Sequence, residues 1–275
     1  MEEDRQARFK FKSFAEGRFR RARFESKSFG QGKFRRAYRG KWTAPRYAAG
    51  HTCVVKEFKE TYTWKPTDWD ETVIINDRAK ELAAGFNDAV TTTKPISFTD
   101  VHVMEVVSTS DPYTTPRLHE WVTGEDFIPG TFNKWCNNYG YISTESSSLP
   151  GFMHWSWYDT RGEEMVADLQ GVRNSDSFKL TDPVIISLEE GYGATDMGVE
   201  GMAMFFLNHK CNIFCRDLPA PKLAHFRRVI PQPYLEAAKT LMAQVYNSTT
   251  YRMELKFPQD IRGRVAARFR EIATN

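Results

Sequence analysis

Cysteine is scarce in this sequence, with four in 275 residues, and histidine is nearly as scarce, with six. Four cysteines cannot build the dense disulfide framework of a small secreted domain, so the thiols are read as reduced and the protein as cytoplasmic. Long apolar runs are missing too: nothing approaches the roughly 20 residues that a membrane-spanning helix needs. The opening MEEDRQ is acidic and polar, which excludes it as a secretory leader. A large net charge is also absent, at +3.

What is present is unevenly placed. Residues 1–41 hold 14 Lys/Arg against 5 Asp/Glu, leaving 24 against 30 for the rest. Such a basic arm suits acidic partners or nucleic acid, and equally suits the solvated face of amphipathic strands. With 41% apolar and 27% charged residues, the chain can form one large domain or two modest lobes around a real core.

A repeat opens the chain. KSFAEGRFRRARFE (12–25) recurs as KSFGQGKFRRAYRG (27–40), with Phe alternating against basic residues around glycine turns. That pattern predicts a duplicated hairpin. HTCVVKEF (51–58) and VHVMEVV (101–107) read as strands. NDRAKELAAGFNDAV (76–90) reads as a helix capped by Asn76 or Asp77. The segment 108–116 reads as a loop between lobes. Trp135–Ile142 follows, and His154–Tyr158 with Met165–Leu169 reads as a strand pair around Arg161-Gly162. An apolar helix is expected at Gly198–His209, and helical runs at Pro233–Tyr246 and at the basic, amphipathic Asp260–Ile272.

Several side chains carry chemistry, each with a plainer alternative. His209, Cys211 and Cys215 have spacing that lets three soft ligands converge on one ion, with His154 the best candidate for the fourth. The alternative is that both cysteines simply fill the core. Gly30 and Gly32 could let backbone N–H groups approach a phosphate, or make an ordinary turn. Lys56 interrupts an apolar strand, which suits an anion or an edge strand with its lysine outward. Asp168 and Gln170, two apart, offer hard oxygens to a magnesium ion, or mark a polar strand end. Asp182 in LTDP could serve a hydroxyl as base, or cap a turn.

In order along the chain, SFGQGKFRRAY (28–38), VVKEF (54–58), FNKWCNN (132–138), MHWSWYDTRGEEMVADLQGV (153–172), LTDP (180–183) and YGATDMGVEGMAMFFLNHKCNIFC (192–215) resemble the alpha-kinases, a family of atypical protein kinases. The resemblance implies an α+β, two-lobed protein-kinase-like fold: an N-lobe antiparallel sheet with a helix, a C-lobe stapled by structural zinc, and ATP between them. It implies zinc on His154, His209, Cys211 and Cys215. It further implies that Lys56 holds the ATP phosphates, that Gly30, Gly32 and Arg35 belong to a phosphate loop, and that Glu105 lies near the adenine. Asp168 and Gln170 would hold Mg2+, and Asp182 would orient or deprotonate the acceptor. A second glycine loop with Gly193, Gly198 and Gly201 would shape the peptide-binding edge.

The chain departs from the family pattern in three places. VRNSDSFK (172–179) makes the interval before LTDP longer than usual, so Asp176 competes with Asp182 as base. Asp196 stands where the family has Asn, a carboxylate expected to alter peptide choice. Glu81 in the helix is a candidate partner for Lys56. The expected organisation is a basic arm with the first hairpin repeat (1–26), an N-lobe (27–110), a C-lobe (111–218) and a helical extension (219–275). The function expected is transfer of the ATP γ-phosphoryl group to Thr or Ser of a protein substrate. The alternatives are an inactive kinase-like binding protein and a zinc-containing nucleic-acid binder, although nucleic acid is not read as the main partner.

Overall fold

A computed structural model describes residues 4–8, 20–91, 94–109, 115–245 and 255–274. The first copy of the hairpin repeat therefore lies largely outside the described residues. In chain order the elements are β1 (Asp4–Arg8), β2 (Arg21–Gln31), β3 (Arg35–Ala44), β4 (Thr52–Phe58), α1 (Asp70–Ala89), β5 (Ile96–Phe98), β6 (His102–Ser108), β7 (Trp121–Asp126) and β8 (Phe132–Lys134). There follow α2 (Ser148–Asp159), β9 (Glu164–Ala167), β10 (Gln170–Arg173), β11 (Phe178–Thr181), β12 (Val184–Ser187), α3 (Gly198–Asn208), α4 (Leu223–Val229), α5 (Gln232–Val245) and α6 (Gln259–Thr274). The chain is thus α+β. No described helix is long and apolar enough to cross a membrane.

Two compact units divide the chain, one made of residues 1–74 and 99–129, the other of residues 75–98 and 130–275. Residues 108–116 fall inside the first unit, and 110–114 lie outside the described residues. In the first unit an antiparallel sheet curls into a closed barrel of order β1-β2-β3-β4-β7-β6. Its interior is packed by Phe24, Tyr38, Trp42, Cys53, Val55, Met104, Val106 and Val122, each from the inward side of an alternating strand. The second copy of the repeat is the β2–β3 hairpin of this barrel.

The second unit contains a four-stranded sheet of order β5-β11-β10-β8 and the two-stranded pair β12-β9. Its core gathers the apolar stripe Ile75, Ala79, Leu82, Ala83 and Phe86 of α1 with α2, α3 and α6. Phe269 of α6 lies edge-on to Trp157 and Phe226, at 6.0 Å from each ring centre.

Two sequence expectations are corrected here. His154–Tyr158 is not a strand but the second half of α2. Every residue from Ser148 to Trp157 is buried, so the alternation of large and small residues there carries no period. Arg161-Gly162 is that helix's C-terminal cap: Gly162 N–H donates to Trp157 O at 2.8 Å and Arg161 N–H to Tyr158 O at 2.9 Å, with Arg161 at φ 55°. The strand paired with β9 is β12 instead. Within Trp135–Ile142 an isolated bridge joins Cys136 to Ile142. Finally, α1 begins at Asp70, with Asp70 and Glu71 in its positively polarised first turn, and Asn76 is a buried interior residue instead of a cap.

Candidate active site and metal centre

The histidines and cysteines are built into one cluster by three local devices. Helix α2 delivers His154 to the core. Its Nε2–H donates to Pro219 O at 2.9 Å, which turns the Nδ1 lone pair toward Cys211 Sγ at 3.7 Å. Helix α3 ends at Asn208, and His209 follows it with Nε2 at 3.3 Å from Cys215 Sγ. Asn212 folds the intervening loop: its Oδ1 accepts Phe214 N–H at 2.9 Å, and its Nδ2 donates to Ser147 O at 2.8 Å.

One donor atom from each of His154, His209, Cys211 and Cys215 lies within 4.8 Å of all the others. Tetrahedral zinc, with bonds of about 2.0–2.3 Å, sets its donors roughly 3.3–3.8 Å apart, so this group fits the ion. Burial pushes the His209 imidazole down to about 3, lowers that of His154, and raises the Cys215 thiol to about 12. Neutral imidazoles are the ligating form, and the thiol must surrender its proton to bind. Cys53 and Cys136 are buried away from this group, as core residues.

A second cluster forms where the chain switches between the two sheets of the second unit. Asp168 links β9 to β10 and Asp182 links β11 to β12. Both adopt left-handed backbone, at φ 57° and 50°, a conformation that costs a side-chain-bearing residue roughly 1–2 kcal/mol. The strands β10 and β11 pair from Gln170↔Thr181 at the foot to Arg173↔Phe178 at the tip. Gly171 is required within this hairpin, because a Cβ there would lie 2.2 Å from Lys179 O. Gln170 Nε2 lies 3.2 Å from Asp168 Oδ2 and 3.5 Å from Asp182 O. Lys134, the ladder partner of Gln170 on β8, places Nζ 2.5 Å from Asp168 Oδ1.

Burial raises the Asp168 pKa, and Asp182 raises it further against the lowering effect of Lys134. Two carboxylates and a carboxamide oxygen are hard donors of the kind Mg2+ takes, so Asp168 and Gln170, with Asp182 close by, fit that ion. The extra residues before Asp182 form the hairpin tip, closed by Asn174 N–H to Ser177 O at 2.9 Å. Asp176 is exposed at that tip while Asp182 remains at the foot.

In the first unit, Lys56 lies on β4 between β3 and β7, which removes the edge-strand reading. It is 6% exposed, and its Nζ is 2.5 Å from Glu125 Oε1. Thr99 Oγ1 donates to the other oxygen of Glu125 at 2.8 Å. Glu81, the expected partner of Lys56, is exposed and bonds Arg78 at 2.7 Å. Glu105 is buried beside His119 Nδ1 at 2.9 Å. Gly30 and Gly32 meet nothing within 4 Å of a notional Cβ, and Gly32 N–H donates to Arg35 O at 2.9 Å, closing the β2–β3 turn. Arg35 donates to Thr72 Oγ1 at 2.8 Å and lies over the rings of Phe58 and Trp69.

Asp196 does not face outward. It is 6% exposed and accepts the N–H groups of Ser187 and Gly198, both at 2.9 Å, and the Ser187 hydroxyl at 2.6 Å. Its role is to shape the loop around Gly193 and Gly198, whose φ angles are 75° and 57°. The expectation that its carboxylate meets a peptide is thereby withdrawn.

A family model described as the alpha-kinase family matches residues 30–215. The chain belongs to the alpha-kinase family. Curated alpha-kinase relatives include alpha-protein kinase vwkA of Dictyostelium discoideum, 31% identical over 146 residues that cover 51% of this chain and 22% of that protein. Myosin heavy chain kinase C of the same organism is 33% identical, covering 52% of this chain and 17% of its own length. Transient receptor potential cation channel subfamily M member 7 of Homo sapiens is 29% identical, covering 64% and 10%. The chain thus matches about a fifth or less of these relatives.

Among solved structures, an alpha kinase from Entamoeba histolytica superposes with a TM-score of 0.65 at 24% identity, covering 81% of this chain and 93% of that one. The alpha-kinase domain of myosin heavy chain kinase A, in complex with AMP, gives 0.63 at 22%, covering 78% and 97%. The alpha-kinase fold therefore extends across most of this chain. Sequence reasoning missed Lys134 and Glu125. Lys134 stands in the quoted FNKWCNN motif, but only the β8–β10 pairing reveals that it meets Asp168.

Proposed function

We propose that the chain is an ATP-dependent protein kinase that transfers the γ-phosphoryl group to Thr or Ser of a protein substrate. The observation that carries this reading is the convergence of Asp168, Gln170, Asp182 and Lys134 on one point, with both aspartates held in left-handed backbone. Residues held in backbone conformations of this kind gather where chemistry is done. Family membership supports the reading, as do the nucleotides named for relatives: myosin heavy chain kinase A domains have been solved with AMP and, as an inactive form, with ATP.

In this reading Lys56, kept in place by Glu125, meets the phosphates, with the turn around Gly30 and Gly32 and the guanidinium of Arg35 beside them. Glu105 serves the adenine. Asp168 and Gln170 hold Mg2+, which when bound supplies charge neutralisation on the phosphate oxygens. Lys134 holds the Asp168 carboxylate in position. Asp182 orients the acceptor hydroxyl and takes its proton as the new O–P bond forms and the bond to the β–γ bridging oxygen breaks, releasing ADP. Zinc on His154, His209, Cys211 and Cys215 would be structural, since four protein ligands leave no open position.

The test is phosphate incorporation from Mg-ATP into a Thr-containing acceptor, with a Ser version and a Lys56→Ala chain alongside. Incorporation should fall on the order of 100-fold or more in the variant. No incorporation by either chain, with zinc bound and the fold intact, would reassign the protein as a kinase-like binding protein.

A further inference from the structure

The outer face of β2 and β3 carries more positive charge than the fold or the proposed reaction uses. Residues 20–46 hold ten Lys/Arg and a single acid, Glu25. Strand alternation turns Ala22, Phe24, Tyr38, Gly40 and Trp42 inward, leaving Arg21, Arg23, Arg39 and Lys41 exposed on the opposite side. Arg23 and Lys41 are direct partners in the ladder, a placement in which like charges repel. Nearby cations that have an acid are different: Arg20 pairs with Asp126 at 3.7 Å and Arg36 with Glu57 at 3.1 Å. Among the described residues, Arg21, Arg23, Lys27, Arg39, Lys41 and Arg46 are exposed and form no ion pair.

Aromatic rings lie among these charges. The Arg39 guanidinium lies 5.5 Å from the Phe29 ring centre and 5.1 Å from that of Phe127, and Lys33 Nζ sits 4.8 Å over Phe34. Phe29 is 49% exposed and Phe34 39%. An acidic peptide would be matched by the cations alone and gives no use to half-exposed rings. A membrane surface favours a continuous apolar patch, whereas here each ring is covered on one side by a cation. Unpaired bases need both features, a cationic track for phosphates and flat groups to stack on.

We propose that the β2–β3 face binds single-stranded nucleic acid, with phosphates on Arg21, Arg23 and Lys41 and bases stacked on Phe29 and the Arg39 guanidinium. None of these residues is assigned to phosphoryl transfer, although Phe29 adjoins Gly30 on β2, and the proposal does not depend on that assignment.

The experiment is fluorescence anisotropy of the full chain with a labelled oligouridine of about 12 nucleotides, a length within one single-strand binding site. Three phosphate contacts predict roughly a 20-fold loss of affinity between 50 and 200 mM salt. An Arg23→Glu/Lys41→Glu chain with an unchanged circular dichroism spectrum should bind at least ~10-fold more weakly at low salt, since two of the three contacts are reversed. Phe29→Ala should weaken binding at every salt concentration while leaving the salt slope in place. An Arg227→Glu/Arg228→Glu chain, altered on α4 in the other unit, should bind as before.

Four results would each overturn the proposal. They are no binding of oligouridine, equal binding of a duplex of the same length, equal loss from both double variants, and binding of phosphatidylserine vesicles or polyglutamate without the oligonucleotide.

Discussion

At the scale of single residues, burial decides the protonation state of the metal centre. His209 is pushed to about 3 by desolvation and by His154, well below the ordinary histidine value. An unfolded chain therefore binds a proton there that the folded chain refuses between about pH 6.5 and 3. Stability must fall as pH falls through that window, by up to about 1.4 kcal/mol per pH unit for this one group. Zinc on the same site strengthens the trend, because acid also returns protons to its thiolates. Thermal melts at about pH 7.5 and 5.5, with and without a chelator, check this. The melting temperature should drop on acidification and on chelation, and His209→Asn should flatten the pH response. A melting temperature indifferent to both would remove the cluster from any structural role.

At the scale of elements, the β10–β11 hairpin separates its tip from its foot. Residues added at the tip lengthen the hairpin without moving Asp182, because the Gln170↔Thr181 pairing sets the foot. Replacing residues 174–177 by Asn-Gly should leave phosphate incorporation within about twofold of the parent, Asn-Gly being a favoured two-residue hairpin turn. Asp182→Ala in the same assay should abolish incorporation. Loss in the shortened hairpin with an intact Asp182 would return the role of base to Asp176. This placement was half-legible in the sequence: the motif order marked Asp182, but only the strand register shows that the added residues lie at the far end of the hairpin from it. Helix α2 was illegible for the opposite reason. Its surroundings bury every face, so no 3.6-residue stripe distinguishes it, and Arg161 takes a left-handed position that usually announces itself as glycine. The roles of Lys134, Glu125 and Asp196 depend on strand pairing or loop closure and have no local signature. Strands β2, β3, β4 and β6 and helix α3 were readable because alternation and an apolar run reach their cores directly.

At the scale of the whole molecule, each compact unit is made of two separated stretches of chain. Residues 75–98 leave the first unit's run to supply the apolar stripe of α1 and strand β5 to the second, and residues 99–129 then return to complete the barrel with β6 and β7. The parallel pairing of β5 with β11 joins residues about eighty positions apart, Ile96 to Phe178. A chain cut after Pro129 thus carries Ile75, Leu82 and Phe86 with no core to enter, and its remainder lacks a sheet edge. Expressed alone, fragment 1–129 should be insoluble, and fragment 130–275 should melt without a cooperative transition. Expressed together they should reassemble, measurable as co-purification of one fragment on a tag carried by the other. Interlacing of this kind makes the protein a candidate for a split reporter, in which reassembly of two halves signals that the proteins fused to them have met.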